Sequence, residues 1–250
     1  MKRGQISIFV IVGILLIGSI ILFFLVYQNR EIGVGFEKGF DAESFMERCI
    51  RENAENKLEI MLPQGGFLEP SDYIMFEDTK VSYLCKNINF YEPCISQYPV
   101  YITELQNEIE QVLREDVEIC FANLETELED RGFSSSGEDF EIEAILKPGI
   151  LEVFVFRNYI IDGAESYNYE YFSANIKTNF YDLAVIASEI AKQEAKYCYF
   201  EYNGFMILYP SFNIYKFTTS DSSEIYTLEY KDSGDKMNIA IRGCAIPAGF

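Results

Sequence analysis

The sequence predicts an α+β domain carried behind a single N-terminal transmembrane helix. Three features predict it: an uncharged apolar run just after the start, helical and period-two apolar patterns mixed through the remainder, and six cysteines that all lie beyond the run. The expected organisation is a leader at residues 1–4, a transmembrane helix at 5–29, a flexible neck at 30–40, a helical subdomain with a small hairpin at 41–133, and an α+β subdomain at 138–250. Beyond the membrane the pattern calls for a helix pair and mainly antiparallel sheets, stapled by disulfides.

The anchor comes first. Residues 6–27 carry no charged side chain, and a helix of about 22 residues spans roughly 33 Å, enough for a hydrocarbon core of about 30 Å. A cleaved secretory signal would hold an apolar region of about 7 to 15 residues ending in small side chains. This run ends in Phe23, Phe24, Leu25, Val26 and Tyr27. It also lacks the polar face of a surface helix. Gly33, Gly35 and Gly39 each weaken a helix by about 1 kcal/mol relative to alanine, so the helix should end near Arg30 and pass into a neck.

The opening residues Lys2, Arg3, Gly4, Gln5, Ile6, Ser7 and Ile8 resemble the start of archaeal type IV prepilins and related class III signal sequences. That resemblance implies cleavage between Gly4 and Gln5 by a prepilin-peptidase-like enzyme, with Gln5 as the mature first residue and the helix retained. Many such pilins carry a glutamate at the fifth mature position, where this chain has Phe9. A carboxylate in a membrane helix is kept for a partner, and Phe9 cannot fill that role, which argues against filament assembly. Further along, the chain is similar to membrane-anchored, cysteine-bearing archaeal surface proteins. No activity follows from that similarity.

Charge narrows the partners. Of the 20 basic residues, Lys2, Arg3 and Arg30 flank the apolar run, and the other 17 face all 40 acidic residues beyond it. Such a field repels a polyanion, so nucleic acid is excluded as a partner. An even set of cysteines on one side of a membrane segment points to disulfides and an oxidising, extracytoplasmic location. The amino terminus is then cytoplasmic.

Residues 41–62 read as an amphipathic helix, capped by Asp41 or Ser44, with Phe45, Cys49, Leu58 and Met61 facing inward. Pro63, Gln64, Gly65 and Gly66 stop it. Residues 72–76 and 80–84 form two short strands around a turn at Glu77, Asp78 and Thr79. Cys85 and Cys94 are close enough in sequence to bridge locally. The enclosed loop, with Asn87, Asn89, Tyr91 and Pro93, is either a stapled connector or a recognition knob.

The longest helical pattern runs over residues 101–130, with Ile102, Leu105, Ile109, Val112, Leu113, Ile119, Cys120, Leu124 and Leu128 on a broad apolar face. Pairing Cys49 with Cys120 would pin the two helices together. Residues 134–137 are a polar break. Strands at 140–146 and 150–156 flank Lys147, Pro148 and Gly149, a hairpin signal, and a third strand is expected through Tyr159, Ile160 and Ile161. Tyr167, Tyr169 and Tyr171 then alternate with Asn168 and Glu170. On a strand they would share one face, as a stacking platform for sugar rings or as core lining. A helix at 180–197 carries Leu183, Ile186, Ala187 and Ile190, and turns follow at Asn203 with Gly204 and at Tyr209 with Pro210. Strands at 213–218, 224–230 and 236–242 complete the chain, and a bridge from Cys198 to Cys244 would tie this last sheet to its helix.

The chain has no histidine, which removes Ser-His-Asp and Cys-His nucleophilic catalysis and the commonest zinc ligand. No Gly-rich phosphate loop and no G-x-S-x-G elbow occurs. Asp221 with Glu224, and Asp232 with Asp235, lack the spacing of a calcium loop. No catalytic residue, cofactor or metal is therefore expected. The function predicted is a single-pass, surface-displayed protein with a structural, adhesive or binding role, whose partners are the membrane and a surface protein or glycan. Alternatives are a minor pilin or pseudopilin, and a membrane-tethered, carboxylate-based hydrolase or sugar-binding module.

Overall fold

The computed structural model describes residues 40–163 and 165–245. The expected membrane helix, the neck up to residue 39 and the junction of Gly4 with Gln5 lie outside the described residues. Among the described residues no helix is long and apolar enough to cross a membrane.

Helix α1, Ala42–Met61, buries Ala42, Met46, Ile50, Ala54, Leu58 and Met61, a stripe at three- and four-residue spacing. Phe45 and Cys49, expected to point inward, sit half-buried at the edge of that stripe. The helix stops in a short 3₁₀ turn, Leu62–Gln64, after which Gly66 adopts φ +86° and donates its N–H to the Met61 carbonyl at 2.8 Å. A Cβ at Gly66 would lie 2.4 Å from Leu105 Cδ2, so both the turn and the packing require glycine.

Strands β1, Tyr73–Phe76, and β2, Thr79–Lys86, pair antiparallel around Glu77 and Asp78. Both turn residues have positive φ, the geometry that matches the twist of a two-residue hairpin. Strand β3, Ile95–Ser96, adds to β2. Helix α2 occupies Tyr101–Asp130 and buries Tyr101, Leu105, Ile109, Leu113, Val117, Cys120, Phe121, Leu124 and Leu128. This stripe is narrower than the sequence suggested, and Ile119 is half exposed, because one long helix offers its neighbours only a limited arc.

Strands β4, Ser134–Gly137, β5, Glu141–Lys147, β6, Ile150–Asp162, and β7, Ser166–Lys177, form an antiparallel sheet around β6. Two expectations change here. Residues 134–137 are not a break but an edge strand paired with the far half of β6. The separate strand expected through Tyr159 is the continuation of β6, which bulges between Phe156 and Tyr159 and keeps pairing with β7 on both sides. The extra residue is absorbed without ending the ladder.

Helix α3, Phe180–Tyr197, is followed by α4, Tyr202–Leu208. Asn203 and Gly204, read as a turn, open this second helix because the Glu201 carboxylate accepts the Gly204 N–H at 3.3 Å and caps it. Strands β8, Phe212–Thr218, β9, Glu224–Tyr230, and β10, Lys236–Arg242, close the chain. Strand β10 lies between β2, parallel, and β9, antiparallel, giving the order β1-β2-β10-β9-β8. Sequence on both sides of residues 134–137 thus builds one sheet, and the described residues from Ala42 onward form one compact unit.

Helices α1 and α2 pack against β7 and β5, covering one face of the four-stranded sheet, while α3 lies against β2, β9 and β10. The covered face carries Ile142, Ala144, Leu146, Leu151, Val153, Val155, Phe172, Ala174 and Ile176, all buried, the larger of which contribute about 1.5–3 kcal/mol each. Three disulfides join Cys49 to Cys120, Cys85 to Cys94 and Cys198 to Cys244, with Cα separations of 5.9, 5.3 and 5.9 Å. No free cysteine remains among the described residues.

Candidate functional site

The uncovered face of the four-stranded sheet departs from the usual pattern of an antiparallel sheet, whose solvent face is polar. Along β6, Leu151, Val153 and Val155 turn inward and Glu152, Phe154 and Phe156 turn outward. Register places Glu141, Phe156 and Tyr171 in one row across β5, β6 and β7, and Glu143, Phe154 and Ser173 in the next. Residues opposite one another in a ladder share a face. The three rings form a shelf: Phe154 to Phe156 is 6.2 Å between centroids, Phe156 to Tyr171 is 6.1 Å and Phe154 to Tyr171 is 6.3 Å. Phe156 is 42% exposed and Tyr171 51%.

Beside the shelf is a notch of about 260 Å³ lined by Glu138, Asp139, Glu141, Phe156, Arg157, Asn158 and Glu170. Arg157, at the β6 bulge, is half-buried. Its Nε donates to the Glu138 carbonyl at 2.7 Å, and its guanidinium lies 4.2 Å from the Phe121 ring centroid and 5.3 Å from that of Tyr159. A Cβ at Gly137 would come within 2.8 Å of Arg157 Nε, so glycine there leaves room for the side chain.

The expected row of tyrosines is not formed. Tyr171 joins the shelf. Tyr169, opposite the fully buried Tyr159, stacks on Phe172 at 5.2 Å, and the Tyr167 hydroxyl donates to Glu165 at 2.9 Å. The bulge is the reason, since it opposes Tyr169 and Tyr171 to β6 residues of different burial. Phe154 and Phe156 were missed, although two phenylalanines at the outward positions of an alternating strand were a visible signal.

The loop from Cys85 to Cys94 is a stapled connector at its base. The Asn87 N–H donates to the Arg242 carbonyl at 2.7 Å, the Cys244 N–H to that of Glu92 at 2.6 Å and the Tyr91 N–H to that of Ala245 at 3.0 Å. The Asn87 side chain is buried and donates to the Asn89 carbonyl at 2.6 Å. Residues 88–93 stand out into solvent, Ile88 and Tyr91 among them. A separate groove of about 730 Å³ between α3 and α4 is floored by Val185, Ile186, Phe205, Leu208, Tyr209 and Phe212.

One carboxylate pair joins a buried to a half-buried side chain. Glu194, on the last turns of α3, is 2% exposed. The Tyr226 hydroxyl donates to Glu194 and lies 3.3 Å from Glu224 Oε2. Lys216 Nζ is 2.6 Å from Glu224 and 4.0 Å from Glu194. Burial raises the Glu194 pKa, against the lowering effects of the Tyr226 hydrogen bond and Lys216, and burial raises that of Tyr226 too. The phenol and the ammonium are both engaged within the cluster, which ties α3 to β8 and β9.

A Glu whose folded pKa is raised contributes stability that is fully present below its unfolded value, about 4.3, and lost as pH rises through the folded value. Glu194→Gln keeps an acceptor for Tyr226 and removes that titration. Its melting temperature relative to the parent should therefore be more favourable at pH 8 than at pH 4. The opposite slope would show that the charged form is the favoured one.

At Asp221, burial favours the neutral acid, but hydrogen bonds from Thr219 and Ser223 outweigh it and hold the pKa below the usual range. The Thr219 hydroxyl donates at 2.5 Å and the Ser223 hydroxyl at 3.0 Å, so this carboxylate organises its own turn. No protein-family model, curated protein or solved structure matches this chain.

Proposed function

We propose that this chain is an exported, membrane-anchored protein whose domain is displayed outside the cell and acts by binding, without catalysis. The observation that carries the reading is the set of three disulfides that leaves no described cysteine free. Such a set persists in an oxidising compartment. The apolar run at residues 6–27 supplies the anchor, and Gly4 with Gln5 supplies a processing site of the prepilin kind. The open aromatic shelf of Phe154, Phe156 and Tyr171 is the binding face. Exposed rings held on a rigid sheet need little ordering when a partner arrives, which favours binding over a structural role alone.

Protease added to intact cells should remove the domain while a cytoplasmic marker survives. Mass spectrometry of the unreduced chain should give Gln5 as the first residue and three cross-linked peptides. A protected domain with free thiols would overturn the reading.

A further inference from the structure

We infer that the shelf and its notch receive a basic polypeptide segment, with lysine or arginine side chains seated on Phe156 and Tyr171. This rests on the binding role proposed above and names the partner's chemistry. The rings supply the first argument. Phe154, Phe156 and Tyr171 turn outward from the covered sheet face, and an aromatic face attracts a cation that settles within about 6 Å of its centroid.

The rim supplies the second. Glu141 and Glu143 stand in the same rows as the rings and are exposed. Neither takes part in a salt bridge among the described residues. Glu138, Asp139 and Glu170 complete the notch. Ionised carboxylates only accept hydrogen bonds, and ammonium and guanidinium groups only donate them, so rim and partner match. A neutral sugar hydroxyl can also donate to a carboxylate, but it brings no positive charge to match the excess of acidic side chains on the rim.

The third argument concerns the cation already present. Arg157 lines the notch, yet its guanidinium stacks on Phe121 and its Nε is bonded to a backbone carbonyl. Among the described residues it forms no salt bridge with a carboxylate of the notch, and four acidic side chains there face this one cation. Farther along the face Lys147 is paired with Glu152 at 2.6 Å. With a formal net charge of −20 on the whole chain, long-range attraction would also speed the approach of a basic segment.

The test uses the full chain in neutral detergent micelles and a fluorescein-labelled octa-arginine peptide, with binding read by anisotropy at low salt. Neutral oligosaccharides are assayed in parallel. The double variant F156A/Y171A should weaken peptide binding about tenfold. E141Q/E143Q should weaken it comparably and reduce its salt dependence. The control E115Q/E118Q removes the same charge from exposed positions on α2 and should change binding by less than about twofold.

Absence of peptide binding would overturn the inference, as would equal weakening by the control pair, which would mean attraction by bulk charge. Oligosaccharide binding that is lost in F156A/Y171A would also overturn the cationic partner while leaving the binding role standing. Should F156A/Y171A lower the melting temperature, E141Q/E143Q decides, since those side chains are exposed and the substitution keeps their size.

Discussion

Replacing Cys49 and Cys120 together by alanine should destabilise the domain by about 4 kcal/mol, the largest loss among the three disulfides in the chain-entropy model. The bridge spans 71 residues, against 46 for Cys198 with Cys244 and 9 for Cys85 with Cys94. Closing the shortest loop is worth about 3 kcal/mol in the same model. For a unit of about 200 residues, a 4 kcal/mol loss corresponds to a fall in melting temperature of about 8–16 °C. The bond joins α1 to α2, the two helices that cover the four-stranded sheet. Cys120 is fully buried, and the Asn53 amide lies 3.6 Å from its sulfur, so the double variant also disturbs packing. Unfolding of the unreduced full chain, compared across the three double variants, checks the order. A smaller loss for C49A/C120A than for C85A/C94A would mean that the unfolded chain already holds the two helices together.

The fold was legible where long periodic segments carried it. Helices α2 and α3 run between the residues expected of them, because apolar positions recur every three or four residues between clear stops at Gly132 and Cys198. The last three strands and the hairpin at Pro148 and Gly149 followed from alternation and turn chemistry in the same way. Non-local decisions left no local trace. Nothing in the sequence of β10 announces that it pairs in parallel with β2, a partner about 150 residues away over which α3 also packs. Residues 134–137 have poor strand propensity, and only the length of β6 makes them an edge strand.

The site was half legible for a related reason. Unbroken alternation groups Tyr171 with Tyr167 and Tyr169, and a single extra residue at Arg157 and Asn158 upsets it. The same bulge produces the notch. A local irregularity of β6 therefore hides the proposed binding face from a period-two reading and shapes the notch beside it, which accords with the tendency of bulges to lie near functional surfaces.

Phe121→Ala should separate what holds this site together from what it presents. Phe121 is buried on α2, with ring centroids at 5.5 Å from Tyr159, 5.7 Å from Phe172 and 5.7 Å from Phe140, and with the Arg157 guanidinium at 4.2 Å. Truncating such a ring costs about 3–5 kcal/mol through lost burial and the cavity left behind. Phe156→Ala, at a solvent-facing position of the same sheet, should cost less than about 1 kcal/mol. The binding effects should not follow the stability effects. F156A removes a contact with the partner, whereas F121A frees Arg157 to turn toward Glu138, Asp139 and Glu170 and compete with an incoming cation. Both variants should bind octa-arginine more weakly, but adding Arg157→Gln to F121A should restore part of that loss, and adding it to F156A should not. Denaturant unfolding and peptide anisotropy on the four variants measure this directly. Restoration in both backgrounds, or in neither, would mean that Arg157 is not what links the core to the shelf.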